Sequence, residues 1–465
     1  MKDSRLLEIV RKLTKQDLRA LQKFLHSPFF NKRKDVIGLF EYILEEQGKR
    51  APNWEVKTIF AAIYPKKKYK VAEMRLVMSY LLRLIEEYLA LNNWRENKAQ
   101  KSILLAQAYR KRNLPKQAER IVKEGIKSMH DKPLRNADRY QDLYQLQFEQ
   151  LQLDTTDLPT DKLNRQQMSD TLDIGYLIAK LRQACLNLAH QAVYNAEFDL
   201  GFLEELIPFL KTHKHLEEPA IAIYYHCYFT IVEPEKEAHF ASFKELLIKN
   251  GTIFPDLEIR DLYLLAINYC IKKINQSKTN YYTEVLDLYK ESLKTKHLLK
   301  DGILSRFAFN NIVTAGIRTG DFEWVAQFIP ENNRYLEPKY RPSTTSFTLA
   351  HLAYSRKNYG NALDLLQKSN YRDVLLNLSA KMLLLKIFYE LKEIDTLESH
   401  IEAMKSYIKR KYIIAYHRTN YLNIIHFVKK SLSLNPYDRE EKAALRQRIL
   451  EAKPLTEKEW LLGLL

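Results

Sequence analysis

Three short cationic clusters are the residues of this 465-residue sequence whose types and spacing could do chemistry: Lys32-Arg33-Lys34, Lys66-Lys67-Lys68-x-Lys70 and Arg110-Lys111-Arg112. That chemistry is anion binding. Lysines confined to one loop repel each other unless a negative group sits among them, so a surface gathering such loops attracts a polyanion. Each cluster falls at an expected helix end or turn, where cations also complement the helix dipole. Residues 1–133 hold 30 Lys and Arg against 15 Asp and Glu, a net +15 of the chain's +17. Residues 134–270 hold 12 against 21, a net −9. Residues 405–435 are cationic again and contain no acid, with Lys409, Arg410 and Lys411 as a secondary basic patch. A nucleic acid, an acidic protein, or the acidic segment of a second copy would each satisfy this pattern.

Other chemistries find little support. There is no G-x-x-x-x-G-K-[ST] and no G-x-G-x-x-G, and 11 scattered glycines disfavour a phosphate cradle. H-E-x-x-H, C-x-x-C and G-x-S-x-G are also absent. His213-x-His215 is the nearest thing to a metal pair, but positions i and i+2 of a helix face different ways. The doublets Glu204-Glu205 and Glu217-Glu218 fit a solvated helix face better than acid–base work. Tyr224-Tyr225, Tyr281-Tyr282, Tyr407, Tyr412, Tyr416 and Tyr421 could stack on bases, yet between helices aromatics more often pack. Cys185, Cys227 and Cys270 are odd in number and lie in apolar runs, which suits buried thiols in a reducing cytoplasm. No enzyme, metal or cofactor is expected. The first ten residues carry charges throughout, unlike a secretory signal, and no apolar run is long enough to span a membrane.

The elements that position the clusters read as helices. Apolar residues recur at spacings of three and four almost everywhere, with little period-two alternation, so the fold class is all-α. Residues 1–95 form a basic N-terminal helical unit. Thr14-Lys15-Gln16-Asp17 reads as a capping box, and Ser27-Pro28 ends the helix that follows. Asp35 to Gln47 gives a further helix. Asn53 should cap the next, Trp54 to Tyr64, and Val71 to about Trp94 a long fourth. Met74, Val77, Met78, Leu81, Leu84, Ile85 and Leu89 of the fourth should face a core. The pair flanking the lysine loop is loosely similar to a helix-turn-helix, although its long second helix is too apolar to read a groove.

From residue 96 to 465 the texture is one of helix pairs. Val325, Ala362 and Leu397 occupy equivalent positions 37 and 35 residues apart, close to the 34-residue period of a tetratricopeptide repeat. Ala106 and Ala350 fall at the small position of a first helix, and Ala118 and Ala362 at that of a second. Gly320-Asp321-Phe322 and Asn358-Tyr359 fall at the turns between. The segments marked by these residues resemble tetratricopeptide repeats, and Leu432-x-Leu434-x-Pro436 resembles the end of one. The repeat's early Trp is absent, and Val325 and Leu397 replace small residues. Residues 135–300 are helical but match poorly, with Leu264 to Leu293 the stretch that could hold a further unit. Leu25-His26-Ser27-Pro28-Phe29-Phe30-Asn31-Lys32 is similar to the opening of uncharacterised bacterial helical proteins. The resemblance implies an α-solenoid, a superhelix of helix pairs. Thr456 to Leu465 should close it as a short helix capped by Thr456, with Trp460, Leu461 and Leu464 over the end of the stack. The expected function is a non-enzymatic cytoplasmic scaffold or adaptor that binds a partner protein, its basic region meeting an anionic partner. The alternative is a nucleic-acid-binding regulatory protein that uses residues 1–133.

Overall fold

The computed structural model describes the chain apart from residues 132, 154–163, 195, 213, 369 and 436 and the side chains of 193 and 194. His213 and Pro436 therefore lie outside the described residues. Among those described, the fold is all-helical, with one isolated bridge between Lys300 and Ile303 and no strand. No described helix is long and apolar enough to cross a membrane.

Two compact units divide the chain. Residues 1–133 with 137–175 make the first, and 134–136 with 176–465 the second. The first unit holds α1 (Arg5–Lys12), α2 (Lys15–His26), α3 (Lys34–Gln47), α4 (Val56–Ile63), α5 (Val71–Glu96), α6 (Lys98–Arg110), α7 (Pro115–His130) and α8 (Ala137–Leu153). α9 (Arg165–Tyr194) begins in the first and ends in the second. Helices α6 to α8 thus group with the basic opening, although the sequence suggests a division at residue 95. This grouping dilutes the charge asymmetry. The first unit's sequence has 33 Lys and Arg against 23 Asp and Glu, net +10, and the second has 41 against 34, net +7.

The first helices form as their sequence dictates. The Thr14 hydroxyl accepts from the Asp17 N–H while the Asp17 carboxylate accepts from the Thr14 N–H, closing the capping box, and α2 stops at Ser27 before Pro28. The α1–α5 core gathers Leu7, Val10, Leu21, Leu25, Leu39, Phe40, Ile43, Phe60, Val77, Leu81 and Ile85. Burying each such side chain contributes about 1.5–3 kcal/mol. Two details depart from the sequence reading. Asn53 does not cap α4: it lies two residues before the cap, Glu55, whose N–H it accepts. On α5, Leu89 is exposed and Tyr88 takes the buried position, because a 26-residue helix drifts off a strict apolar repeat.

The second unit continues with α10 (Leu203–Thr212), α11 (Pro219–Val232), α12 (Glu237–Asn250), α13 (Asp256–Asn275), α14 (Tyr281–Lys294), α15 (Arg306–Arg318) and α16 (Phe322–Asn332). It ends with α17 (Arg341–Ser355), α18 (Tyr359–Gln367), α19 (Val374–Glu390), α20 (Ile394–Arg410), α21 (Ala415–Leu432), α22 (Arg439–Glu451) and α23 (Lys458–Gly463).

One turn recurs through the helical hairpins α6–α7, α13–α14, α15–α16, α17–α18 and α19–α20. Each carries a residue of positive φ: Asn113, Ser277, Gly320, Lys357 and Lys392 respectively. In each, the next N–H donates to the carbonyl five residues back, from Leu114 to Tyr109, Lys278 to Lys273, Asp321 to Gly316, Asn358 to Ala353 and Glu393 to Phe388, at 2.9–3.1 Å. This bond satisfies carbonyls that the ending helix leaves free. The residue seven before the left-handed one is fully buried in α6, α15, α17 and α19: Ala106, Val313, Ala350 and Leu385. The residue five after it is fully buried in the four partner helices: Ala118, Val325, Ala362 and Leu397. The closing helix differs from expectation. It starts at Lys458 with Glu457 at its cap, because Thr456 is held by Asn420 instead.

Candidate functional site

Two regions bring functional side chains together, one in each unit. In the first, Asn31 shapes the Lys32–Lys34 loop. Its buried amide donates to the carbonyls of Leu25 and Arg33 and accepts from the Arg33 N–H. Arg33 is thereby aimed at Asp35, which it meets with two bonds of 3.1 and 2.7 Å. The Tyr64 hydroxyl donates to the same carboxylate, and the Arg33 guanidinium lies 4.3 Å from the centre of the Tyr80 ring. The Arg33 fork, helped by Tyr64, holds the Asp35 carboxyl down at about 2. Burial, and then Asp35, pushes the Tyr64 phenol up to about 12.

Since Tyr64 opens the lysine loop, the Arg33–Asp35–Tyr64 link joins two of the three clusters. Lys32, Lys34, Lys66 and Lys68 are exposed around it and make no ion pair among the described residues. Lys67 and Lys70 both reach Glu73, at 3.5 and 3.3 Å, and Lys67 also lies over Tyr64. The third cluster is not drawn in. Arg110 forks onto the buried Glu149 at 2.9 and 3.3 Å, leaving Lys111 and Arg112 exposed at the α6–α7 turn. Arg33 and Arg110 thus spend their charge inside the fold.

The secondary patch lies in the other unit, where Lys409, Arg410 and Lys411 are exposed at the end of α20. The acid-free sequence around them is partly neutralised from outside, because Glu402 takes both Lys405 and Lys429. Tyr224, Tyr225 and Tyr281 are buried, whereas Tyr412 and Tyr416 are exposed, so the tyrosines divide between packing and surface. All three cysteines are free and buried. Among the described residues no group of three or more His, Cys, Asp or Glu could hold a metal.

The second region is a cleft of about 1340 Å³ in the second unit. Its walls come mainly from α13, α15, α17, α19 and α21, with Phe307, Asn310, His351, Ser379 and Tyr421 among the lining residues. Residues 452–460 lie along it. Asn420 donates to the Thr456 hydroxyl at 3.1 Å and accepts from the Thr456 N–H at 2.8 Å, and Asn423 donates to the Pro454 carbonyl at 3.0 Å. Lys386 meets Glu457 at 2.6 Å, and Arg318 meets Glu459 at 2.8 Å. Trp460 packs edge-on against Tyr389 and near the Lys386 ammonium, and its indole N–H donates to Glu390. Burial alone would raise the Glu457 carboxyl, yet Lys386, Arg318 and His351 hold it below its usual value. Burial, then Lys386, pushes His351 down to about 4.

This arrangement holds an irregular segment and the helical turn after it by side-chain amides, ion pairs and an aromatic contact, which is the chemistry of peptide recognition. Sequence reasoning missed Arg318, Lys386, Asn420 and Asn423. Their partners lie 31 to 141 positions away, so no local pattern could have paired them. Compared with protein-family models and with curated proteins, the chain finds no match.

Proposed function

We propose that this chain is a non-enzymatic scaffold of the tetratricopeptide-like class, acting in the cytoplasm, whose second unit binds a segment of a partner protein. One observation carries the reading: a cleft walled by the leading helices of successive hairpins already holds an irregular segment and the first turn of α23 by side-chain amides and paired charges. The recurring turn and the buried positions around it support the repeat resemblance, since stacked pairs of this kind expose their first helices along one continuous surface.

The test is site-specific photocrosslinking in cells. A photoreactive residue replacing Phe307, in the cleft, should capture a discrete protein, and the yield should fall when Lys386→Glu is added. The same residue at Glu331, exposed at the end of α16, should capture none of it. Equal capture at both positions overturns the reading.

The joined clusters favour a second reading for the first unit. Lys32, Lys34, Lys66 and Lys68 around one ion-paired core form a surface for an anionic partner, either a nucleic acid or an acidic protein. Self-association through oppositely charged segments is a further version of this reading. Light scattering that gives a monomer at low and high salt excludes it.

A further inference from the structure

We propose that the stretch Thr456–Trp460 is an internal stand-in for the partner: the cleft recognises a protein segment with two carboxylates two residues apart followed by an aromatic residue, and such a segment displaces the internal one. The inference rests on the cleft being a binding site.

Without residues 452–465, the wall presents two cations. Arg318 and Lys386 would be parted from Glu459 and Glu457, while the neighbouring Arg306 keeps its own partner, Asp373, at 2.9 Å on the wall itself. Lys386 is well buried, with its side chain 12 % exposed, and a buried cation without a partner is strongly unfavourable. The bared wall therefore selects an acidic occupant. Glu390 and Tyr389 set the position of the aromatic, one by accepting the indole N–H and the other by ring contact. Asn423 reads backbone alone, at Pro454, whereas Asn420 takes both the N–H and the hydroxyl of Thr456 and so favours a hydroxyl residue there.

The internal segment fills only part of the space, for the cleft beside it remains open and is lined by Phe307, Asn310, Thr314 and Tyr421. The Asn310 side-chain oxygen is buried there without a hydrogen-bond partner. A longer partner segment reaches groups in that space that the internal one does not touch. It needs them, because a tethered competitor acts at a high effective concentration. The covalent link to α22 provides that tether, and Leu455 and Leu461 are buried on either side of the stretch.

The experiment uses the full chain and a fluorescent synthetic peptide of residues 452–465. The wild-type chain should bind the peptide weakly. The double variant Glu457→Lys, Trp460→Ala should release the internal stretch and bind it at least about tenfold more tightly. Adding Lys386→Glu should remove that gain, and so should reversing both glutamates in the peptide. Circular dichroism establishes that each variant is folded. Should the double variant not fold, the milder Glu457→Gln, Glu459→Gln pair decides, with a gain in the same direction. A folded, opened variant that binds no better than wild type overturns the inference, as does equal binding of the charge-reversed peptide. Crosslinking at Phe307 without peptide binding would leave the scaffold reading standing and remove only this one. Peptide binding without crosslinking would do the opposite.

Discussion

Arg33 closes a two-bond fork on Asp35, two residues along the chain, and Asp35 in turn accepts the hydroxyl of Tyr64. The central residue of a basic cluster is therefore already bound to an anion. Its removal should act on stability before it acts on binding. Arg33→Ala leaves a half-buried carboxylate without its cation and should cost about 1–3 kcal/mol in urea unfolding. Lys34→Ala, on the exposed flank, should stay within about 0.5 kcal/mol. The pH dependence has a fixed sign. The folded carboxyl is held at about 2, below the ordinary value near 4, so its contribution is complete above about pH 4 and is lost as pH falls through 2. The Arg33→Ala variant should lack that acid-sensitive component.

Lys66 and Lys68 give the opposite expectation. Both are exposed, and neither is ion-paired among the described residues, so Lys66→Glu, Lys68→Glu should leave the unfolding midpoint nearly unchanged. Binding to a polyanion such as heparin or duplex DNA should weaken. The slope of log K against log salt should flatten by about one unit for each phosphate that a lysine no longer neutralises. Arg110→Ala should instead destabilise, because Glu149 beneath it is buried. Unchanged affinity and slope in the lysine variant would remove the anionic-partner reading for this surface.

The close crossing of α15 and α16 tests the repeat geometry. A Cβ built on Gly316 would stand 2.4 Å from a methyl carbon of Val325, closer than such atoms can come. Gly316→Ala should therefore destabilise by about 1–3 kcal/mol despite alanine's better helix propensity. Val325→Ala should cost about 1–3 kcal/mol by itself through the space it opens. The double variant should be more stable than the two separate costs imply, since the new methyl occupies the space that valine vacates. Strict additivity in thermal unfolding would show that the helices part without reference to this crossing.

Much of the fold was legible because its signals are local. The capping box at Thr14 and Asp17, the stop at Ser27-Pro28 and the three-and-four spacing of Leu21, Leu25, Val36, Leu39, Phe40 and Ile43 each act within a few residues. The recurring turn was only partly legible. Gly320 announces a left-handed residue, whereas Lys357 and Lys392 adopt the same conformation with an ordinary Cβ, held there by the bonds from Asn358 and Glu393. Sequence also could not divide the cations by role. Nothing local separates Arg33 from Lys32, because the difference lies in Asn31 aiming one of them and Tyr64 arriving from 29 positions away. The cleft was illegible for the same reason. Glu457 and Glu459 carry no local signal, because their partners Lys386 and Arg318 lie 71 and 141 positions away.

His351 makes the cleft wall sensitive to acid. Burial, with Lys386 and Arg318 nearby, holds its imidazole at about 4 in the folded chain, against about 6.5 when unfolded. The unfolded chain binds the extra proton first, so stability from this group is complete above about pH 6.5 and is lost as pH falls towards 4. The Glu457 carboxyl works in the same direction, since its docked form is the charged one. His226, His239, His400 and His426 are also held below their usual values, so the wild-type slope over this range is shared. The variant His351→Leu isolates one component. Its unfolding free energy, read from urea titrations, should fall less between pH 7 and pH 4 than that of the wild type, by an amount on the order of 3 kcal/mol. Lys386→Gln should move the undocking of residues 456–460, followed by Trp460 fluorescence, to milder acid, because removing the ammonium raises the Glu457 carboxyl. An undocking midpoint that stays fixed in the Lys386 variant would show that Leu455 and Leu461 hold the segment without help from the ion pair.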